Sequence, residues 1–132
     1  MTHHPRKFLV TLTIPCLLCA AAHAQTSAPA ALYPGIKPAL TLDQLKQLPL
    51  ENTTLDTITR NPNGSLQITA TVTHPPDNDH VKVFIGLPAN WNGRFEGTGG
   101  GGWSGGSPTS LPDPVAQGFG AGSTDTGHTD PN

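Results

Sequence analysis

Four consecutive glycines, Gly99 to Gly102, with Gly97 before them and Gly105 and Gly106 just after, constrain this chain more than any other feature. A glycine inside a helix costs about 1 kcal/mol relative to alanine, and one inside a strand has no side chain to pack, so the run belongs to neither. It must be a loop, and the segments on either side must build the core. The same run is a backbone with no Cβ in the way, able to turn its N–H groups toward one point. Acyl-transfer chemistry uses such a loop to hold an oxyanion.

The flanking segments carry the patterns a core needs. Thr41 followed by Gln44 has capping-box spacing, and Leu42, Leu45 and Leu48 recur on one side, which predicts a short helix over 42–47 stopped by Pro49, its leucines facing the core. Asn52 to Thr59 is rich in β-branched residues and reads as a strand, and Asn61-Pro62-Asn63-Gly64 supplies turn chemistry. From Ser65 to Thr73, Leu66, Ile68, Ala70 and Val72 alternate with polar residues, predicting one face inward and one in water. Val81, Val83, Ile85 and Leu87 alternate in a third strand ended by Pro88, and Asn92-Gly93 is a turn leading through Arg94 to Glu96 into the glycines. Beyond the run, Asp113 is expected to cap a helix with Pro114 at its first position and Gly118 just past its end, with Phe119 to Ser123 as a buried strand of small residues. A helix between two strands is what a parallel crossover requires, so antiparallel strands lead into an α/β layer.

The N-terminus reads as an export leader. Arg6 and Lys7 precede an apolar run from Phe8 to Ala22, and Ala22-His23-Ala24 offers a small-x-small cleavage site, so residues 1–24 form the signal and the mature chain starts at Gln25. Residues 25–40 read as a flexible spacer. This places the protein outside the cytoplasm, secreted or periplasmic, with no membrane association after cleavage. Both cysteines, Cys16 and Cys19, leave with the leader, which excludes cysteine nucleophiles, disulfides and thiolate metal sites from the rest. Five basic side chains then face nine acidic ones, which disfavours nucleic acid as a partner. With 15 glycines and 14 prolines the chain also fits a low-complexity reading, but the glycines cluster after patterned strands.

The segment Trp91-Asn92-Gly93-Arg94-Phe95 before the run, Trp103 after it, and Ser123-Thr124-Asp125-Thr126-Gly127-His128 downstream occur in an order that resembles the tannase and feruloyl esterase family. Leu45 to Leu55 is similar to that family's helix, Leu-Pro break and Asn-Thr-Thr strand start. The resemblance implies the N-terminal part of an α/β-hydrolase fold, mainly β over these residues, with 41–132 as an incomplete domain. It implies a serine carboxylic ester hydrolase whose substrates are small esters of phenolic or aromatic acids, working through an acyl-enzyme. It assigns the oxyanion N–H to Gly100 and Gly101, with Gly99 and Gly102 enabling the turn, and sets Trp103 at the border of the substrate pocket.

This chain departs from the family at several points. Many members have Asn where Gly100 stands, carry cysteines whose loss here implies a missing disulfide, and have larger aliphatics where Gly120 and Gly122 lie. The family's Cys-Ser-x-Gly-Gly nucleophile segment and the acid and histidine of its triad do not occur in the sequence. Ser104, Ser107, Ser110 and Ser123 sit in no nucleophile elbow, and the chain alone is expected to be inactive. Ser123, Asp125 and His128 are too close along one turn to form a triad, which leaves His128 bonding across the loop. His74, Asp77, Asp79 and His80 match no recurrent metal spacing and read as a solvated turn. No cofactor is expected, since the lid calcium of some members would lie beyond residue 132. Asn52-Thr53-Thr54 and Asn63-Gly64-Ser65 are glycosylation sequons in form. The competing class is a secreted β-rich binding or adhesion module with the glycines as a flexible tip.

Overall fold

The computed structural model describes residues 27–37, 39–77 and 79–128. The leader 1–24 lies outside the described residues. One five-stranded sheet dominates: β1 (Thr53–Arg60), β2 (Leu66–Val72), β3 (Val81–Leu87), β4 (Phe95–Gly97) and β5 (Gly120–Thr124), in spatial order β1-β2-β3-β5-β4. The first three strands and β5 are antiparallel neighbours, whereas β4 and β5 run parallel. The described residues are therefore mainly β with two five-residue helices, α1 (Leu42–Lys46) and α2 (Pro112–Ala116).

Local chemistry explains most boundaries. In α1 the Gln44 amide donates to Thr41 Oγ1 at 3.3 Å and the Thr41 amide donates to Gln44 Oε1 at 2.9 Å, the reciprocal pair of a capping box. The leucines of α1 are not core as expected: Leu42 and Leu45 are half-buried, and Leu48 is exposed, because the helix leans on the sheet's rim over a concavity of about 480 Å³ shared with Leu66 and Leu87. Between β1 and β2 the turn closes through Gly64 N to Asn61 O at 2.9 Å, with Gly64 at φ 84°. A register shift between Leu55 and Thr57 turns out Asp56, whose Oδ2 accepts from Thr71 Oγ1 at 2.7 Å and Lys82 Nζ at 3.0 Å. The Thr71 hydroxyl and then the Lys82 ammonium hold that carboxyl below its usual range.

The core lies on both faces of the sheet. Ile68 pairs with Ile85 and Ala70 with Val83, so the aliphatics of β2 and β3 share one face, and Ile68 and Ala70 are each 3% exposed. The opposite face was expected to meet water, and there the structure differs. Gly86 is buried because α2 crosses it: a Cβ built at Gly86 would stand 2.5 Å from Val115 Cγ2, and Leu111, Pro114 and Ala121 complete this second cluster. A side chain at position 86 would hold α2 off the sheet.

Helix α2 also starts earlier than Asp113 and Pro114 predict. Pro112 takes the first position and Leu111 is the N-cap, with no side-chain capping bond. The capping hydroxyl acts further upstream, where Ser107 Oγ accepts from the Thr109 amide at the head of a 3-10 turn over Pro108–Ser110 that runs into α2. Its end follows expectation: Gly118 at φ 86° donates to Val115 O, and Phe119 donates to Pro114 O, a Schellman closure. That closure aims the chain back along the sheet, and β5 inserts between β3 and β4.

Candidate active-site loop

The glycine run leaves the C-terminal end of β4 and occupies the first part of the crossover to β5. Both ends are tied to β5, by the Thr98 amide to Gly122 O and by the Gly106 amide to Thr124 O, each at 2.8 Å. Between them the loop folds on itself. A Cβ at Gly100 would run into the carbonyls of Ser104 and Gly105, and one at Gly105 would run into the backbone of Asp125. Gly99, Gly101 and Gly102 face open space, and Gly102 sits at φ 62°. Within the loop the Ser104 amide donates to Gly101 O at 3.1 Å, but among the described residues the amides of Gly99 to Trp103 meet no protein acceptor.

Gly100 and Gly101 are thus adjacent, exposed and free to donate. Trp103 projects from the loop at 92% exposure, so it packs into no core among the described residues. Among the described residues, four concavities lie away from the glycine run and have no lining residue from it. The most apolar of these, about 420 Å³, lies at the other end of the parallel strands between Ile36, Leu87, Trp91, Phe95 and Gly120.

The turn before β4 is more than a turn. Asn92 is 5% exposed and satisfies every polar group it has: its amide donates to Gly118 O, its carbonyl accepts from Leu32 N, Nδ2 donates to Gln117 O, and Oδ1 accepts from Arg94 N. It joins residues 30–36, the end of α2 and the start of β4, and Arg94 Nη1 adds a bond to Ala30 O at 2.6 Å. In the sequence Asn92 is legible as half of an Asn-Gly turn within the Trp91 to Phe95 motif, and none of these partners is. Gly120 and Gly122 likewise have a positive use, since the Phe95 ring lies across them: a Cβ at Gly122 would stand 2.7 Å from Phe95 Cζ.

Asp125 and His128 form a tight turn with Thr126 at φ 54° and Gly127 at φ 76°. Asp125 Oδ1 accepts from the amides of Lys82 and Gly127, tying β3 to the end of β5, and His128 Nδ1 pairs with Thr126 Oγ1 at 2.8 Å. Neither side chain meets Ser123, whose buried Oγ has no hydrogen-bond partner among the described residues and lies under Gly106, where a Cβ would run into it. A buried hydroxyl without a partner loses its hydration for nothing. Ser123→Ala is therefore expected to leave stability unchanged or raise it by up to about 1 kcal/mol, read as the urea midpoint.

Among the described residues no group of three or more His, Cys, Asp or Glu side chains is placed to hold a metal ion. Asp79 instead serves His74, accepting from its amide at 2.6 Å and pairing with its Nδ1 at 2.7 Å; the His74 amide is the main cause that lowers the Asp79 pKa. No helix among the described residues is long and apolar enough to cross a membrane.

A comparison with known protein families adds a finding independent of this geometry. The model described as tannase and feruloyl esterase matches residues 67–132, half of the chain, and the protein belongs to that family. It is 42% identical over 74 residues to a protein of the fungus Arthroderma benhamiae described as a probable feruloyl esterase. That alignment covers 52% of this chain but 14% of the relative, so the chain spans a small part of the relative's length. No solved structure matches.

Proposed function

We propose that these residues supply the leading strands and the oxyanion loop of an exported carboxylic ester hydrolase with an α/β-hydrolase fold, acting on phenolic or aromatic acid esters. Family membership supports the reaction class. The observation that carries the site is the set of unpartnered amides at the carboxyl end of β4, where the chain enters a parallel crossover. In α/β sheets ligands gather at the carboxyl ends of strands, and α/β-hydrolases take one oxyanion donor from the loop after an early strand.

The chemistry is acyl transfer. A serine hydroxyl, deprotonated by a histidine, attacks the ester carbonyl, and negative charge develops on the carbonyl oxygen. The N–H groups of Gly100 and Gly101 donate to that oxygen, and losing one such donor typically costs about 3 kcal/mol of transition-state stabilisation. The alcohol leaves with the proton from the histidine, and water releases the acid by the same route. Trp103 borders the aromatic acyl group. The nucleophile, acid and histidine belong to sequence outside residues 1–132.

Assays with methyl gallate and methyl ferulate test this reading. The 132-residue chain alone is expected to give no turnover, because its loop stabilises a charge that never forms. A polypeptide that continues into a Cys-Ser-x-Gly-Gly segment is expected to hydrolyse one or both esters. Turnover by the short chain that disappears in Ser123→Ala would revive a local triad and overturn the proposal.

A further inference from the structure

We propose that Thr98 and Ser110 are positioning residues whose hydroxyl pair sets the geometry of the glycine run; the inference rests on the ester-hydrolase reading above. A run of glycines loses more conformational freedom on ordering than any other sequence, so it cannot hold a donor geometry by its own preferences. Order has to be imposed from the loop's ends. Thr98 is the first residue after β4, and Ser110 is the last of the 3-10 turn that leads into α2. Their hydroxyl oxygens stand 2.6 Å apart, half-buried, across twelve positions of sequence.

The protons can be assigned. Ser110 Oγ donates to Ser107 O at 2.9 Å, so it must accept from Thr98, and Thr98 Oγ1 donates to it. The longer approach of Thr98 Oγ1 to Gly122 O, 3.3 Å, meets a carbonyl already bonded by the Thr98 amide at 2.8 Å. The result is a relay from Thr98 to Ser110 to Ser107 O that closes the loop on the side facing α2. The Gly106 amide on Thr124 O closes it on the side facing β5. Gly99 to Trp103 lie between the two closures, and their amides meet no protein acceptor among the described residues. No other side-chain hydrogen bond among the described residues reaches across the loop from Thr98 to Ser110.

Misplacing a reacting group by about 1 Å costs roughly a hundredfold, and a loop that keeps its two backbone ties to β5 but loses the hydroxyl pair samples part of such displacements without losing its fold. Thr98→Val and Ser110→Ala, made in the intact polypeptide, are each expected to lower kcat roughly tenfold with KM within about twofold. The double variant is expected to lose no more than Ser110→Ala alone, since that change already removes both bonds of the relay. Thr98→Ser, which keeps the hydroxyl, is expected to restore kcat. With glycine-selective 15N labelling, backbone order parameters of Gly99 to Gly102 are expected to fall in Thr98→Val and Ser110→Ala, while those of Gly86 and Gly120 stay unchanged. Unchanged order in both variants, or a loss carried by KM, overturns the proposal. If the intact wild-type polypeptide hydrolyses neither ester, the ester reading fails, and the order parameters still decide whether the hydroxyl pair governs the loop.

Discussion

Gly101→Pro in the intact polypeptide is expected to lower kcat for methyl gallate or methyl ferulate by about 10²–10³-fold, whereas Gly101→Ala is expected to cost less than about threefold. The pair separates donation from flexibility. A Cβ at Gly101 meets nothing within 4 Å, and the residue is outside the left-handed region, so alanine fits. Proline removes the one N–H in question. That N–H has no protein acceptor among the described residues, and the Gly101 carbonyl remains available to Ser104 N, so the fold loses no hydrogen bond. Equal thermal midpoints for the two variants would confirm that the loss is chemical. Equal rates for proline and alanine would remove Gly101 from the oxyanion site.

The largest effect on stability is expected at Asn92. Asn92→Ala deletes the bonds of Nδ2 to Gln117 O and of Arg94 N to Oδ1, both at 3.0 Å, and strands a carbonyl and an amide beside a residue only 5% exposed. Orphaned buried groups cost about 1–3 kcal/mol each, so a loss of about 3 kcal/mol is expected from urea unfolding at unchanged slope. Asn92→Asp is expected to retain the Arg94 bond but to set a carboxylate oxygen against Gln117 O, recovering part of the loss at most. A change below about 1 kcal/mol for Asn92→Ala would show that the bonds joining residues 30–36, α2 and β4 are replaced by water.

The two residues show where sequence reading stops. Gly101 was legible because the glycine run is a local signal: no regular element tolerates it, and the flanking motifs carry the family resemblance. Asn92 was legible only as half of an Asn-Gly turn, which it is, with Gly93 at φ 87°. Its partners come from residues 32, 94, 117 and 118, and nothing in the string brings these together. Phe95 over Gly120 and Gly122 is a similar case, since those glycines read as weak points in a strand until the ring that needs their space is in view. Helix α2 was displaced from its expected start because Ser107, four residues before Leu111, had already begun the turn.

What the sequence by itself determined is what depends on neighbours a few residues apart: the capping box of α1, the alternation of β2 and β3, the turn at Gly64, the end of α2 at Gly118, and the exclusion of the glycine run from any regular element. Only the tertiary structure decided that β5 enters between β3 and β4, that α2 covers Gly86, and that Thr98 meets Ser110 at the base of the glycine loop. Local preferences select conformations through short-range sterics and hydrogen bonds. Which strands become neighbours depends on burying apolar surface and closing loops across the whole chain, and no window of a few residues contains that balance.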